Sequence, residues 1–348
     1  MWMEADERER RLRDSPLVIR DEALNGYVRR VLCTAVGDDR CKSVRIYILE
    51  VPLFNASMMP NGTMEIWSGL LLRTRNEAEL GAVLGHEFGH FELRHTLKDF
   101  KRARTTTDIM AWLSVLGGLS GTSTGLTQLS LIGSYYRFDR AQEEEADMLG
   151  LNYLVKSPYP AIAASGLWQH IMAESDATAA GRKRKSKQRY SAGFFDSHPT
   201  HLKRALYLKE AATKSGDSSG DSQAAGHYAA MQKVLPQFLE TQVKLNDFGG
   251  TEYLLGQIAS ANGWTGELLY ARGELYRTRG NPRDLISAAQ FYGDAIKAGY
   301  SAPEARRGLG LSLLRTGQGA EGKAALNEYL KMMPDASDAK AISALVAN

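Results

Sequence analysis

The pattern of apolar and polar positions divides the chain into a first part of helices and short strands and a second part that is helical throughout. Apolar residues recur at helical spacing over residues 21–36, and Gly37 ends the stripe. Two segments rich in β-branched and aromatic residues follow, at residues 44–49 and 64–67. Beyond residue 226 the periodicity is that of helices alone. The pattern therefore predicts an α+β fold that is mostly α-helical.

A third extended segment, residues 54–58, lies between these two strands. Pro52 and Pro60 flank it, and a strand with prolines on both sides is typical of a sheet edge. Edge strands can bind an extended peptide through main-chain hydrogen bonds. An ordinary edge or loop is an equally open interpretation. The candidate substrate-binding residues on this strand are Asn55, Ala56 and Ser57.

Two glycine pairs indicate an internal repeat in the second part. Gly273 and Gly280 are seven residues apart, as are Gly310 and Gly317, and the pairs lie 37 residues from each other. The aromatic and small residues after the first pair fit a tetratricopeptide repeat, whereas the second copy fits less well, and a plain helical bundle is the alternative. Such repeats leave a concave face for peptides or protein partners. We therefore predict a helical domain that recruits partners or substrates.

Composition and length support a two-domain organisation. The chain has 348 residues, and its Ser-, Gly- and Asp-rich segment at residues 212–225 is typical of a linker. It would join a first domain at residues 1–211 to a helical domain at residues 226–348. The net charge of +3 is local, because six positive charges lie within residues 182–189. A nucleic-acid-binding surface is therefore not expected.

The cysteines and the N-terminus leave the compartment open. Cys33 and Cys41, the two cysteines of the chain, could form one disulfide in an oxidising compartment or stay reduced in the cytosol. The first residues contain no apolar core of a secretory signal. The chain would then be cytoplasmic, or a signal was removed before this numbering begins.

A long uncharged segment raises the question of a membrane. Residues 109–136 carry no formal charge, and 28 residues are enough to span a bilayer. A glycine-, serine- and threonine-rich centre splits them into two arms that are each too short to span. We therefore expect a helical hairpin within residues 105–136 that covers the cleft as a lid or touches a membrane surface peripherally. A spanning segment is the alternative.

The strongest chemical signal is the sequence His86-Glu87-Phe88-Gly89-His90. Two histidines four residues apart on a helix are separated by about 40° around the axis and roughly 6 Å along it, so both can bind one zinc ion. Glu87 can act as the general base towards a metal-bound water. Asn76 with Glu79 predicts a capping box at the start of the helix. Glycines at positions 81, 85 and 89 predict close packing against another element.

A catalytic zinc needs a third protein ligand. A metzincin would require a histidine at position 96 and a glycine at position 93, where this chain has Thr96 and Leu93, so that class is excluded. Glu143 and Asp147 are four residues apart on one predicted helical face, so one could bind zinc while the other accepts an N–H from a ligand histidine. An acidic surface helix is the plainer interpretation. The histidine candidates are His95, His170, His198, His201 and His227.

Four motifs together resemble the HtpX and CAAX-prenyl-protease type of zinc metallopeptidase over residues 20–210. They are Asn55-Ala56, the His86–His90 motif with His95 after it, Glu143-x-x-Ala146-Asp147, and His198-Pro199 followed by Arg204. The resemblance implies a zincin-like domain with one zinc ion. It implies that Glu143 is the third ligand, that Asp147 supports a ligand histidine, and that Glu87 is the general base.

The resemblance also assigns the last motif. It implies that His198 can occupy the open position of the zinc and hold the enzyme inactive, and that Arg204 lies at the edge of the cleft, where either could stabilise an oxyanion. A protease domain followed by repeats resembles the BepA-like type, which implies a periplasmic endopeptidase in envelope protein quality control. Two alternatives are a scaffold or chaperone with an occluded zinc site and a membrane-bound peptidase. Manganese or cobalt is not distinguishable from zinc by these ligands.

Overall fold

The computed structural model describes most of the chain and divides it into two compact units. The described ranges are 2–105, 140–186, 201–216 and 220–347. The first unit comprises Met1–Ala173 and Ser186–Met231, and the second comprises Glu174–Lys185 and Gln232–Asn348. The predicted hairpin at 109–136 and His198 lie outside the described residues. None of the helices described is long and apolar enough to cross a membrane.

Three helices precede the sheet. They are α1 (Trp2–Asp14), α2 (Glu22–Val36) and α3 (Asp38–Cys41). The Asp21 side chain accepts a hydrogen bond from the backbone N–H of Leu24 and so caps α2. Gly37 ends α2 with φ 95°, as predicted. A disulfide between Cys33 and Cys41, whose Cα atoms are 5.1 Å apart, joins the last turn of α2 to α3.

Within the described ranges, the sheet has three strands, β1 (Arg45–Leu49), β2 (Ala56–Met58) and β3 (Thr63–Trp67). Their order is β1-β3-β2, with β1 parallel and β2 antiparallel to β3. The prediction that the proline-flanked segment is an edge strand is therefore confirmed. The small sheet with many helices likewise confirms the predicted α+β, mostly helical fold class.

Among the described residues, four helices follow the sheet in the first part of the chain. They are α4 (Ser68–Arg73), α5 (Glu77–Glu92), α6 (His95–Thr105) and α7 (Arg140–Val155). The Asn76 side chain caps α5 by accepting from the backbone N–H of Glu79 at 2.8 Å. The Glu79 carboxylate accepts from the backbone N–H of Arg75, not of Asn76. The predicted capping box is therefore half formed, and the Glu79 side chain binds the backbone of Arg75, the residue before the cap.

Helices α5 and α7 cross at glycines. A Cβ atom on Gly89 would lie 3.1 Å from the carbonyl oxygen of Ala146, and one on Gly150 would lie 2.9 Å from the backbone nitrogen of His86. Gly85 faces Gly150 and Tyr153 across the same crossing. The prediction of close packing along the glycine stripe is therefore confirmed. The contact brings the backbone that carries the two motif histidines next to the backbone that carries the acidic motif.

The remaining described helices of the first unit include α10 (Ala224–Met231), most of which falls within the predicted second domain. They are α8 (Ala163–Gly181), whose residues from Glu174 belong to the second unit, α9 (His201–Lys214) and α10. In α10, His227 is buried, with Nδ1 2.6 Å from the Tyr27 hydroxyl and Nε2 3.2 Å from the carbonyl oxygen of Leu71. The division after Met231 therefore lies a few residues beyond the predicted start of the second domain.

The second unit consists of helices. They are α11 (Leu235–Lys244), α12 (Phe248–Asn262), α13 (Gly266–Arg279), α14 (Pro282–Lys297), α15 (Pro303–Arg315), α16 (Gly319–Met332) and α17 (Ala339–Ala347). Gly280 and Gly317, at φ 72° and 84°, follow α13 and α15 and let the chain turn into α14 and α16. Gly273 packs against Tyr292 and Gly310 against Leu326. Each helical pair is thus closed by a glycine contact, and the tetratricopeptide assignment stays a prediction.

Candidate metal centre

Two histidines from α5 and one glutamate from α7 converge in the interior of the first unit. The Nε2 atoms of His86 and His90 lie 3.1 Å apart. The Glu143 carboxylate oxygens lie 3.6 Å from His86 Nε2 and 3.4 Å from His90 Nε2. All three side chains are buried, Glu143 completely. The structure therefore brings together the three residues predicted as metal ligands.

The donor set fits a zinc ion. One nitrogen from each histidine and one carboxylate oxygen lie within 4.8 Å of one another, and two imidazoles with one carboxylate are a ligand set of catalytic zinc sites. A second such group in the described residues, Cys33, Asp38 and Cys41, has its two sulfur atoms joined in the disulfide. The cluster of His86, His90 and Glu143 is therefore the site that could hold a metal ion.

Behind His86, Asp147 accepts from the imidazole. His86 Nδ1 lies 2.8 Å from Asp147 Oδ1, so Nε2 is the nitrogen that faces His90 and Glu143. Arg204 donates to both oxygens of Asp147, with Nε 2.7 Å from Oδ2, and the Tyr207 hydroxyl donates to Oδ2. Burial raises the pKa of Asp147, but the charges of Arg204 and His86 outweigh it, so the pKa lies below its ordinary value. Asp147 therefore stays ionised.

Behind His90 lies another histidine. His90 Nδ1 is 2.9 Å from His95 Nδ1, and His95 Nε2 is 3.1 Å from Glu145 Oε2. His95, which the sequence offered as a third ligand, contacts His90 on the side away from Nε2. The other candidates lie elsewhere: His170 faces Glu79 at 3.3 Å, and His201 stacks on Trp168. His227 lies in α10, as described above.

The Glu87 side chain is partly buried and lies among charged groups. Burial raises the pKa of its carboxyl to about 7. The charge of His86 opposes this increase, that of Glu143 adds to it, and Arg204 and Asp147 act with smaller opposing effects. A carboxyl that titrates near neutrality can both accept and release a proton. The role of Glu87 as general base stays a prediction.

Arg204 has more contacts than the sequence could assign. Its side chain is buried, its guanidinium carbon lies 3.8 Å from the centre of the Trp168 ring, and its nitrogens bind Asp147. Trp168 in turn contacts Phe54, the residue before the candidate substrate strand, with ring centres 6.0 Å apart. These contacts make Arg204 a support for Asp147 and His86. Its action on an oxyanion stays a prediction.

Strand β2, the candidate substrate-binding strand, lies beside α5, the helix that carries His86 and His90. Strand β2 packs against α5. The backbone N–H of Trp67 donates to the carbonyl oxygen of Asn55 at 3.1 Å, which extends the ladder by one residue. Among the residues that the structure describes, β3 is the strand that pairs with β2. The three candidate residues, all partly exposed, are Asn55, Ala56 and Ser57.

Comparison with known proteins places these residues in a family. The model of peptidase family M48 matches residues 20–212. Metalloprotease LoiP of Escherichia coli is 31% identical over 166 residues, which cover 47% of this chain and 60% of that protein. The mitochondrial metalloendopeptidase OMA1 of Schizosaccharomyces pombe is 27% identical over 186 residues, covering 53% of this chain and 52% of that protein.

A further relative has a longer chain. The beta-barrel assembly-enhancing protease of Yersinia pestis is 28% identical over 184 residues, covering 48% of this chain and 36% of that protein. The chain thus spans about half the length of the curated relatives it matches. The family match contains both ligand helices and the supporting residues behind them, and it confirms the resemblance inferred from the motifs. The chain belongs to peptidase family M48.

Proposed function

We propose that the first unit is a zinc-dependent endopeptidase that hydrolyses peptide bonds of protein substrates. The observation that carries this proposal is the buried cluster of His86, His90 and Glu143, with their donor atoms within 4.8 Å of one another. A bound zinc ion would polarise the scissile carbonyl and bring the pKa of a water towards neutrality. The membership of family M48 and the names of the relatives support the same activity.

Some residues of the chain would hold the metal ion, and another would transfer protons. His86, His90 and Glu143 would hold the ion, and Asp147 would keep the Nδ1 proton of His86 in place. Glu87 would accept a proton from the attacking water and return it to the leaving amine. In the metal-free protein, burial raises the pKa of Glu87 to about 7, so both protonation states are accessible near neutral pH.

Substrate would bind as an extended peptide along β2. The partly exposed residues Asn55, Ala56 and Ser57 lie on the side of the sheet next to α5, and a peptide added to this edge would run beside the motif histidines. Main-chain hydrogen bonds would supply affinity with little side-chain preference. This arrangement fits an endopeptidase that acts on unfolded protein segments.

Substitution of Glu87 tests the activity. Glu87→Gln should lower the rate of casein digestion by about 10²- to 10⁴-fold, because the general base is lost while the shape is kept. Its zinc content should equal that of the wild type. Glu144→Gln is the matched control, since Glu144 is an exposed carboxylate on α7 that pairs with Lys203, and it should digest casein normally. Wild-type protein that binds no zinc, or full activity in Glu87→Gln, contradicts the proposal.

The second unit would recruit partners or substrates through its consecutive helical pairs. Glycine contacts at Gly273 and Gly310 hold each pair together, and stacked helical pairs of this kind form concave surfaces for peptides. A non-catalytic scaffold with an occluded zinc site is the alternative function. Glu87→Gln separates the two, because a scaffold keeps its function and a protease loses it.

We assign the protein to the periplasm and to envelope protein quality control. The disulfide between Cys33 and Cys41 supports this location, because such bonds persist in oxidising compartments and are rare in the cytosol. Thiol labelling of protein taken directly from cells tests it. Blocked cysteines that become reactive after reduction support the periplasm, and freely reactive cysteines contradict it.

A further inference from the structure

We infer that His95 is a positioning residue for the metal centre, which fixes the orientation and the protonated nitrogen of His90 from behind. This inference rests on the proposed zinc site and adds a residue that the ligand set does not contain. His95 is fully buried. Its Nδ1 lies 2.9 Å from Nδ1 of His90, so the two rings meet through a nitrogen of His90 other than the one that faces His86 and Glu143.

The backbone between the two helices creates this contact. Five residues along an unbroken helix correspond to a rotation of about 140°, which would carry His95 away from His90. Helix α5 instead ends at Glu92, and Arg94 adopts the left-handed conformation with φ 55°. The chain therefore changes direction immediately before α6 begins at His95. This one turn brings the fifth residue after His90 behind its ring.

The chemistry of the partners sets the direction of the hydrogen bonds. The Glu145 carboxylate lies 3.1 Å from His95 Nε2, and an ionised carboxylate only accepts, so Nε2 of His95 carries a proton. A neutral His95 then has its lone pair on Nδ1, and His90 must donate from its own Nδ1. The other nitrogen of His90, Nε2, is left unprotonated and faces His86 and Glu143. This is the nitrogen that a metal ion would need.

The two ligand histidines are thus supported by different groups. Asp147 accepts from His86 and is held by Arg204, both of them buried. His95 accepts from His90 and is held by Glu145, whose side chain is 55% exposed and lies 3.8 Å from Lys98. Groups that orient a metal-bound histidine typically contribute 10- to 100-fold in metal affinity. The same range is expected for His95.

Two variants of His95 test the inference through metal affinity. Zinc dissociation constants are measured by competition with a chromophoric chelator. His95→Leu should weaken zinc binding by about 10- to 100-fold, because it removes the acceptor. His95→Asn should weaken it by less than about 10-fold, because its side-chain oxygen can occupy the position of Nδ1. Equal affinities of wild type and His95→Leu would overturn the inference.

Glu145 and Glu144, which are neighbours on α7, provide a test of the hydrogen bond between His95 and Glu145. Glu145→Leu should weaken zinc binding, whereas Glu144→Leu, which removes a carboxylate of similar exposure that pairs with Lys203, should not. Equal affinities of these two variants would contradict the role of Glu145. In every variant, thermal unfolding of the metal-free protein shows whether the fold is kept.

A readout without metal separates this inference from the proposed function. In the metal-free protein, ¹⁵N chemical shifts of the His90 ring should identify a protonated Nδ1, and His95→Leu should lose this preference. A His90 ring protonated on Nε2 in the wild type overturns the inference even if the protein binds zinc and digests casein. A wild-type protein that binds no zinc while His90 keeps the Nδ1 proton overturns the proposed function and leaves the positioning of His90 supported.

Discussion

The two units bury different types of side chain. The first unit buries many ionisable side chains, namely Glu9, Glu65, Glu77, Glu79, His86, His90, His95, Glu143, Asp147, Arg204 and His227. In the described part of the second unit, Asp284 is the buried residue among Asp, Glu, His, Lys and Arg, and the packing is made mainly by glycine, alanine, leucine and tyrosine. Buried charges cost free energy unless they are paired. In the first unit, such pairs lie both at the candidate metal centre, as with Asp147 and Arg204, and away from it, as with Glu9 and Arg45. The second unit depends mainly on close packing.

The ion pair between Arg204 and Asp147 is where this difference should be largest. Arg204→Met would leave Asp147 buried without its partner and should lower the free energy of unfolding of the first unit by about 3–5 kcal/mol. Lys203→Met is the matched control, because Lys203 is exposed and pairs with an exposed Glu144, and it should cost less than about 1 kcal/mol. Hydrogen exchange measured on the first unit of each variant reports the two values. Similar losses in both variants would contradict the comparison.

Glu9 should make the first unit sensitive to acid. Hydrogen bonds from Arg45 lower the pKa of Glu9 from 4.5 to about 2, although burial opposes them. A carboxyl whose pKa falls on folding stabilises the fold above its unfolded pKa and loses that contribution as the pH falls through the folded pKa. The loss should therefore occur between pH 4.5 and 2. Because Arg45 is partly exposed, we expect about 1–3 kcal/mol.

Denaturation curves of the first unit across this pH range measure the effect. Glu9→Gln should flatten the acid limb, because its side chain does not titrate. Glu7→Gln, which removes an exposed carboxylate on the same helix that pairs with Arg10, should leave the limb unchanged. An acid limb that is the same in all three proteins would show that Glu9 does not contribute.

In the second unit, added volume should matter more than charge. A Cβ atom on Gly308 would lie 2.7 Å from Cε1 of Tyr292, and Tyr292 is fixed by hydrogen bonds to Glu274 and from Arg277. Gly308→Ala should therefore lower the free energy of unfolding by about 1–3 kcal/mol. Gly293→Ala, at a helical glycine with no neighbouring atom within 4 Å, should raise it by about 0.5–1 kcal/mol. The same sign for both variants would contradict this account.

The smallest effect should come from His227. Burial lowers the pKa of His227, and its hydrogen bonds to backbone groups only partly oppose this. A histidine with a lowered folded pKa binds protons more readily in the unfolded state, so the first unit loses stability as the pH falls below about 6.5, by at most about 1.4 kcal/mol per pH unit. His227→Gln should remove that slope, and melting curves from pH 7.5 to 5.5 measure it. An unchanged slope would show that another group titrates.

Local patterns were enough for the elements that carry the ligands. The apolar stripe, the cap at Asn76 and the glycines at 81, 85 and 89 predicted α5 and its close contact, because each depends on neighbours within one or two turns. The edge position of β2 followed from its prolines. The resemblance implied that Asp147 supports a ligand histidine, but the contacts of His95 with His90 and of Arg204 with Asp147 did not follow from any local pattern. His95 reaches His90 only because Arg94 turns the chain, and Arg204 meets Asp147 from 57 residues away.

The sequence alone predicted the kind of site: the spacing of His86 and His90 indicated a metal-binding helix, and the resemblance to a metallopeptidase family implied Glu143 as the third ligand. Tertiary structure decided which nitrogen of each histidine faces the centre, which residues hold it there, and that α10 with His227 belongs to the first unit. The physical reason is the distance along the chain over which each interaction acts. Helix periodicity and capping act between near neighbours, whereas hydrogen-bond direction and burial depend on groups that meet only when distant segments pack together.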